Sequence, residues 1–513
     1  MTRPASAATD APPMAAHKLR ARRFGIESQH EPIAFMHADC PVGRSEGVAA
    51  RARIELHARG RAALATLYLV TSDILALDEV GLSEAAWRRL GVDENDEINV
   101  KHPQPLASMS FVRAKVYGHR LDAPRLGPVL ADVVAERYSD IELAALITAF
   151  SAQPPSAAET MALTRAMLEA GDRLSWPSPV VVDKHSVGGL PANRTTPLVV
   201  AIAAAAGLII PKTSSRAITS PAGTADTMET MAPVDLDIPE MRRVVEREGG
   251  CIVWGGSVRL SPADDIFIRV ERALDLDSEA QLVASVLSKK LAAGSTHVVL
   301  DLPVGPTAKV RTKADADRLS AHLVEVAAGF GMAARPVITD GRQPIGNGIG
   351  PALEARDVLA VLRGERHAPQ DLRERVIQLA GAVLELGQTA QSGGGEELAR
   401  RLLDGGQALA KFLAICEAQG GFREPPRAPH THVIEARRAG RVASIDNRIL
   451  ARLAKLAGAP AAKAAGIDLH VKLGEQIEAG QPLMTLHGES RGEMDYALGY
   501  AADNPDLIEV APR

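Results

Sequence analysis

Two short stretches concentrate groups able to hold a small anion. The first, Val182-Asp183-Lys184-His185-Ser186-Val187-Gly188-Gly189, follows an apolar β-branched run and precedes a helix that the pattern starts near Thr195 or Thr196. Paired glycines let backbone approach a ligand closely and turn N–H groups toward an anion. The helix N-terminus adds the positive end of its dipole. Lys184 supplies a charge, and Ser186 and Thr195 supply hydroxyls. Taken alone, such a turn also fits an ordinary strand–helix connection. The second stretch, after the next apolar run, is Pro211-Lys212-Thr213-Ser214-Ser215-Arg216-Ala217-Ile218-Thr219-Ser220, continuing through Pro221-Ala222-Gly223-Thr224-Ala225-Asp226. Asp226 and Glu229 have capping-box spacing, which starts a helix there with Gly223-Thr224 at its mouth. Hydroxyl-rich loops at equivalent ends of successive strands stand where open α/β sheets bind ligands. With Lys184, Lys212 and Arg216 among them, phosphate is the ligand this chemistry suits.

Other chemistries lack their residues. No G-x-x-x-x-G-K-[ST] occurs, Gly346-Asn347-Gly348-Ile349-Gly350 lacks the dinucleotide spacing, and neither His-rich metal spacing nor a G-x-S-x-G elbow is found.

The two stretches match a known signature. Lys184-His185-Ser186-x-Gly188-Gly189, then Ser214-Ser215-Arg216 through Gly223-Thr224-x-Asp226-x-x-Glu229, resembles the thymidine phosphorylase family. Ala284-Ser285-Val286-Leu287-Ser288-Lys289-Lys290 and Gln343-Pro344-Ile345-Gly346 through Gly350-x-x-Leu353-Glu354 continue the match, so the resemblance covers roughly Ser108 to the C-terminus. The wording Ser215-Arg216-Ala217-Ile218-Thr219-Ser220 and the extra N-terminal domain resemble the type 2 branch, which holds AMP phosphorylases and bacterial proteins called thymidine phosphorylases. The resemblance implies a multidomain α/β fold: a helical lobe facing a mostly parallel α/β lobe across a cleft, a small β-rich N-terminal domain and a C-terminal α+β domain. It implies that Lys184, Ser186, Thr195, Ser214 and Thr224 hold phosphate while Ser285 and Lys289 bind the base or nucleoside. Domain closure would bring phosphate to the anomeric carbon and exclude water. His185 is a candidate acid or sugar contact, or else a plain turn histidine.

Substrate choice stays open at this point. Pyrimidine-specific members place an arginine beside the Ser/Lys pair, and an ungapped alignment puts Val270 there, flanked by Arg269 and Arg272. Gly189, Ser215 to Ser220, Thr224, Asp277, Ser285 and Lys309 instead match positions used by AMP phosphorylases, with Asp277 as proton donor to the purine. Asp277 also reads as a helix N-cap, and Lys309 as a surface lysine. The implied reaction is phosphorolysis of thymidine to thymine and 2-deoxyribose 1-phosphate, or of AMP to adenine and ribose 1,5-bisphosphate. Phosphate is then a substrate, and no cofactor or metal is expected. Two further readings stand beside these. A phosphoribosyltransferase of similar architecture would need Mg²⁺ with Asp226 and Glu229 as ligands. A carrier module is suggested by Val471-Lys472-Leu473-Gly474-Glu475 through Gly480-Gln481-Pro482-Leu483, although the Met-Lys-Met hairpin is absent.

The elements that must position these groups follow from the pattern. Residues 1–23, Ala/Pro-rich at the start, read as a disordered tail. A β-rich domain over 24–106 contains the alternating strand Arg53 to Ala58, the run Leu64 to Val70 and a short helix Glu84 to Leu90. A period of 3.6 marks a helical lobe over 107–178, completed by 262–292. β-branched runs alternating with helices give an α/β lobe over 179–261 plus 293–425, with strands at Val180-Val181-Val182 and Leu208-Ile209-Ile210. A Gly/Pro-rich stretch precedes a C-terminal α+β domain over 426–513. The chain has 513 residues, a net charge of -5 and 3% aromatics, which excludes a broad polyanion-binding surface and base-stacking platforms. Cys40, Cys251 and Cys416 follow no metal spacing and suit a reducing compartment. The longest apolar run, Leu198 to Ile210, is about 13 residues, short of the roughly 18 needed for a bilayer. The expectation is a cytoplasmic homodimer or larger homo-oligomer that binds neither membrane nor nucleic acid polymer.

Overall fold

Strict in–out alternation builds the first of two units, which divide after Ala107. The computed structural model describes residues 18–512 except 46, 48, 155, 218, 219, 275 and 277. Strands β1 (Lys18–Arg23), β2 (Ile33–His37), β3 (Arg53–Ala58), β4 (Arg61–Val70), β5 (Glu79–Leu82) and β6 (Glu97–Lys101) close a barrel in the order β1-β5-β2-β4-β3-β6. In β3, Ile54, Leu56 and Ala58 face inward and Arg53, Glu55 and His57 outward, so one face fills the core beside Leu19, Met36, Leu67 and Ile98. A short helix α1 (Pro41–Ser45) follows β2, and α2 (Glu84–Leu90) is capped by Ser83, which accepts from the Ala86 N–H, and ended by Gly91 at φ 63°. Lys18–Arg23 is therefore a barrel strand and not part of a tail. Its Leu19 and Ala21 are buried, an alternation that the flanking arginines disguise; residues 1–17 of the expected tail lie outside the described residues.

The second unit opens with helices α3 (Met109–Val116), α4 (Ala123–Val134), α5 (Asp140–Ser151) and α6 (Ala157–Glu169). Helices α10 (Pro262–Leu274) and α11 (Glu279–Ala292) return from later in the chain to pack on α4, α5 and α6 and complete this lobe. Between and after them run β7 (Val182–Ser186), α7 (Thr196–Ala205), β8 (Ile210–Ser214), α8 (Thr224–Glu229), α9 (Ile238–Glu248), β9 (Gly250–Trp254), β10 (His297–Val304), α12 (Lys313–Ala328) and β11 (Ala333–Asp340). The strands are parallel in the order β11-β10-β7-β8-β9, with β7 and β8 joined by the single bridge Val181 to Ile209. Helix α7 is buried from Thr196 to Ala204, which accounts for the long apolar run as a central helix. It packs on α14 (Gln370–Leu386) and α16 (Gln407–Ala418), with α15 (Gly395–Asp404) beside them.

A short strand β12 (Gly348–Ile349) and helix α13 (Pro351–Leu362) lead toward the last domain. Its elements are β13 (His430–Glu435), β14 (Gly440–Ile445), α17 (Asn447–Leu456), β15 (Gly466–Leu469), β16 (Gln476–Ile477), β17 (Pro482–Gly488), α18 (Arg491–Asp503) and β18 (Ile508–Ala511). One sheet, β12-β15-β17-β13, takes its edge strand from the α/β lobe, and a second runs β16-β14-β18. A Cβ on Gly466 would meet the Ile349 carbonyl at 2.0 Å, so this junction admits only glycine. Among the described residues no helix is long and apolar enough to cross a membrane.

Candidate active site

The sheet carries charge in its centre. Both strands beside the central bridge extend further than the apolar runs predict: Asp183, Lys184, His185 and Ser186 lie within β7, and Lys212, Thr213 and Ser214 within β8. The charged groups of Asp183, Lys184 and Lys212 are buried with partners of opposite sign. Asp183 accepts from the Lys184 N–H at 2.6 Å and pairs with Lys290 at 2.9 Å and Lys212 at 3.3 Å. Burial opposes its charge, but the two ammoniums outweigh this and hold the carboxyl below its ordinary range. Lys184 donates to Thr195 Oγ1 at 2.7 Å and lies 3.6 Å from Asp301, whose other oxygen accepts from Thr339 at 2.6 Å. Burial pulls the Lys184 ammonium down to about 8, against the attraction of Asp301 and with help from Arg194 and Arg375. Burial likewise takes Lys212 well below its ordinary value. Burial, reinforced by Lys290, Lys212, Lys289 and Lys184, drives His185 well below the usual imidazole range. His185 is thus a neutral ring at neutral pH and no cationic acid.

The loop from β7 to α7 brings donors to the same end. Gly188, Gly189, Ala192 and Asn193 have φ of 89°, 80°, 58° and 56°; for Ala192 this left-handed backbone costs on the order of 1 kcal/mol, a strain typical of functional loops. A Cβ on Gly189 would stand 2.5 Å from the Lys309 backbone nitrogen. Thr195 caps α7 without a side-chain capping bond, so its hydroxyl oxygen is taken by Lys184 and its proton is left to give. Thr224 is in the same state: Arg194 Nη1 donates to its Oγ1 at 2.7 Å. Ser214 Oγ is buried and makes no hydrogen bond. Ser186 receives a long contact of 3.5 Å from Asn193 Nδ2. The five residues carried over as phosphate ligands therefore sit on β7, on β8, at the cap of α7 and at the first residue of α8.

The loop from β8 to α8 departs from expectation in two ways. Asp226 is the third residue of α8 and not its cap; Gly223 holds that place and donates its N–H to Asp226 at 2.9 Å. The same oxygen accepts from the Ala217 N–H at 2.6 Å, clamping both ends of the loop. Arg216 offers no free charge to a ligand. It makes a two-pronged pair with Glu229 at 2.7 and 2.8 Å, reaches Asp235 at 3.2 Å and stacks 4.9 Å from the Trp254 ring centre. Lys463 of the last domain adds a 2.7 Å contact to Glu229. Asp226 and Glu229, the carboxylates suggested for Mg²⁺, are engaged in these bonds. Ser215 is exposed and Ser220 donates to the Ala222 carbonyl at 2.9 Å. Ile218 and Thr219 lie outside the described residues.

Helix α11 supplies the other wall. Ser285 is half-buried, and Lys289 pairs with Asp264 at 2.6 Å. Beside it a cavity of about 210 Å³ is lined by Val187, Ser278, Glu279, Lys309, Arg311 and Arg318 among others. Val270 is buried in α10, so no guanidinium stands at that position. Asp277 lies outside the described residues; the cap of α11 is Ser278, which accepts from the Gln281 N–H. Sequence reasoning missed Arg194, Asp301 and Arg375, and saw Glu354 only as part of a matching motif, without a role. The available signal was an arginine beside Thr195 in a loop otherwise of small residues. Lys472 donates to the Gly346 carbonyl at 2.7 Å and to Asp371 at 2.8 Å, an inward role that a swinging carrier lysine could not have.

A helical bundle set against a parallel α/β layer, with hydroxyls and ammoniums gathered at the strand ends, defines a glycosyl transferase architecture. The family models agree: the glycosyl transferase helical bundle domain matches residues 109–171 and the α/β domain matches 178–409. The pyrimidine nucleoside phosphorylase C-terminal domain matches 441–505. A protein of Chelativorans sp. named "Putative thymidine phosphorylase" is 60% identical over 96% of this chain and 97% of its own length. One of Tolumonas auensis with the same name is 57% identical over 96% and 98%. The chain belongs to the thymidine phosphorylase family. Anthranilate phosphoribosyltransferase from Thermus thermophilus is similar in fold, with a TM-score of 0.52 at 21% identity over 60% of this chain and 98% of that one.

Proposed function

We propose that the protein is a cytoplasmic nucleoside phosphorylase that cleaves thymidine with inorganic phosphate to thymine and 2-deoxyribose 1-phosphate. The observation that carries this reading is the state of Thr195 and Thr224. Each hydroxyl oxygen already accepts from a cation, Lys184 or Arg194, which polarises the hydroxyl and leaves its proton to give, so a ligand made of acceptors is a natural partner. Phosphate so held attacks C1′ as the base departs through an oxocarbenium-like transition state. Positioning contributes up to roughly 7–11 kcal/mol, and the chain need form no covalent bond or recruit a cofactor. His185, neutral, is suited to a sugar hydroxyl or base carbonyl. Ser285 and Lys289 hold the base across the cleft, and the working assembly is a homodimer or larger.

AMP is the second reading. The buried Val270, and Lys309 and Arg311 on the lining of the α11 cavity, favour it; Arg318 on the same lining is held by Glu279 and Asp315. Purified protein incubated with phosphate and either thymidine or AMP, with base release followed, separates the two. Release from neither substrate refutes the phosphorylase reading.

A further inference from the structure

The two threonines belong to different loops, one before α7 and one before α8, and an anion gripped by both requires a fixed spacing between them. One side chain spans that gap. Arg194 donates through Nη1 to Thr224 Oγ1 at 2.7 Å, through Nη2 to the Ala222 carbonyl at 3.0 Å and through Nε to Glu354 at 2.6 Å. Glu354 is 1% exposed. Its Oε2 also accepts from Thr227 at 3.0 Å, and its Oε1 from the Gly350 N–H at 3.3 Å. The carboxylate thus stands on α13, reaches into α8 and fixes the guanidinium from behind. Because Glu354 balances the charge, the contribution of Arg194 is geometric: all three of its bonds set positions, and the fork geometry of a guanidinium is what lets one group make them.

We propose that Arg194, anchored by Glu354, is a positioning residue for phosphate, setting the Thr195–Thr224 spacing and turning the Thr224 proton into the site. This rests on the phosphorylase reading above. Buried pairs of this kind are weak stabilisers but strong determinants of geometry, and removing one partner strands the other. The informative variant therefore removes both charges: Arg194→Met with Glu354→Gln, in which the glutamine oxygen can still accept from the Gly350 N–H while its amide donates to the Thr227 hydroxyl.

Steady-state kinetics with phosphate and the better of thymidine and AMP tests this, alongside the thermal midpoint with and without phosphate. The expected result is a phosphate KM raised roughly tenfold to a hundredfold, the range for one hydrogen bond to a charged group, with the nucleoside KM within about twofold of the parent. The phosphate-induced rise in midpoint should shrink in step. Arg194→Lys, with one prong where three are used, should raise the phosphate KM as well, and it carries the test if the double variant does not fold. An unchanged phosphate KM in a folded variant overturns the proposal while leaving the phosphorylase reading intact. A parent protein without phosphate-dependent base release fails that reading instead.

Discussion

Raising the pH should strip phosphate from this enzyme while making the empty protein more stable. Lys184 is 1% exposed, and burial brings its ammonium from 10.5 down to about 8. Above that pH it becomes an amine, which can accept from Thr195 and so reverse the 2.7 Å bond; the Thr195 proton then no longer points at the ligand. If only the protonated form binds, kcat/KM for phosphate falls through pH 8 and is down about thirtyfold at pH 9.5. Phosphate is already a dianion across this range, so its own ionisation does not cause the fall.

Stability moves the other way. Between pH 8 and 10.5 the unfolded chain keeps a proton on Lys184 that the folded chain has lost, so the unfolded state binds more protons and unfolding free energy rises with pH. The full effect is about 3 kcal/mol across that window. Lys212, also depressed by burial, adds in the same direction. Thermal melts from pH 7 to 10 with and without phosphate would show the stabilisation by phosphate closing while the phosphate-free baseline climbs. A kcat/KM for phosphate that stays flat from pH 7 to 9.5 would refute the assignment of Lys184.

Other sites give sharper single tests. Thr195→Val should raise the phosphate KM about tenfold with the nucleoside KM unchanged; equal change in both would mean that Thr195 only shapes α7. Arg216→Ala should lower stability by about 1 kcal/mol, read as a reduced thermal midpoint, and leave the phosphate KM in place, since its guanidinium is held by Glu229 and Asp235. Asp277→Asn should cripple AMP cleavage far more than thymidine cleavage, whereas equal losses would assign it a structural place before α11. Phosphate binding at pH 8.5 should take up about 0.75 proton as Lys184 recharges, measurable by calorimetry in buffers of different ionisation heat; zero uptake contradicts the charge argument.

What could be read from the chain depended on whether burial left a pattern. Helix α2 was legible from its amphipathic run, with Ser83 as the cap that the structure shows; before α11 the sequence suggested Asp277 as cap, whereas Ser278 holds that place. β7 and β8 were seen only at their first residues: Val182 and Ile210 look like strand, but Asp183 to Ser186 and Lys212 to Ser214 look like loop. They are strand because Asp183 meets Lys212 and Lys290, pairings between elements that leave no local period. The candidate phosphate ligands were found through their motif. Arg194 and Glu354, which tie those ligands together, are 160 residues apart, and no spacing rule connects them. Closure of the barrel has the same character, since β1 pairs with β5 and β6 far along the chain.

The charge count under the phosphate ligands explains why the site should bind an anion at all. Lys184 and Lys212 on the sheet and Lys290 on α11 share Asp183 and Asp301, three lysines to two carboxylates, all buried. Isolating a charge in such a place is expensive, and the protein's response is visible in the lowered Lys184 and Lys212. Removing the lysines would strand Asp183 and Asp301 as buried, unpaired carboxylates, so the lysines must stay, and an incoming anion offsets their surplus positive charge. A phosphate dianion supplies the missing negative charge, restores the ammonium form of Lys184 and meets hydroxyls already turned outward. The reorganisation that water would demand at the moment of reaction has been met during folding. Net charge over the whole chain is -5, yet this local imbalance is positive, a contrast that suits the proposed binding of one small anion at the strand ends.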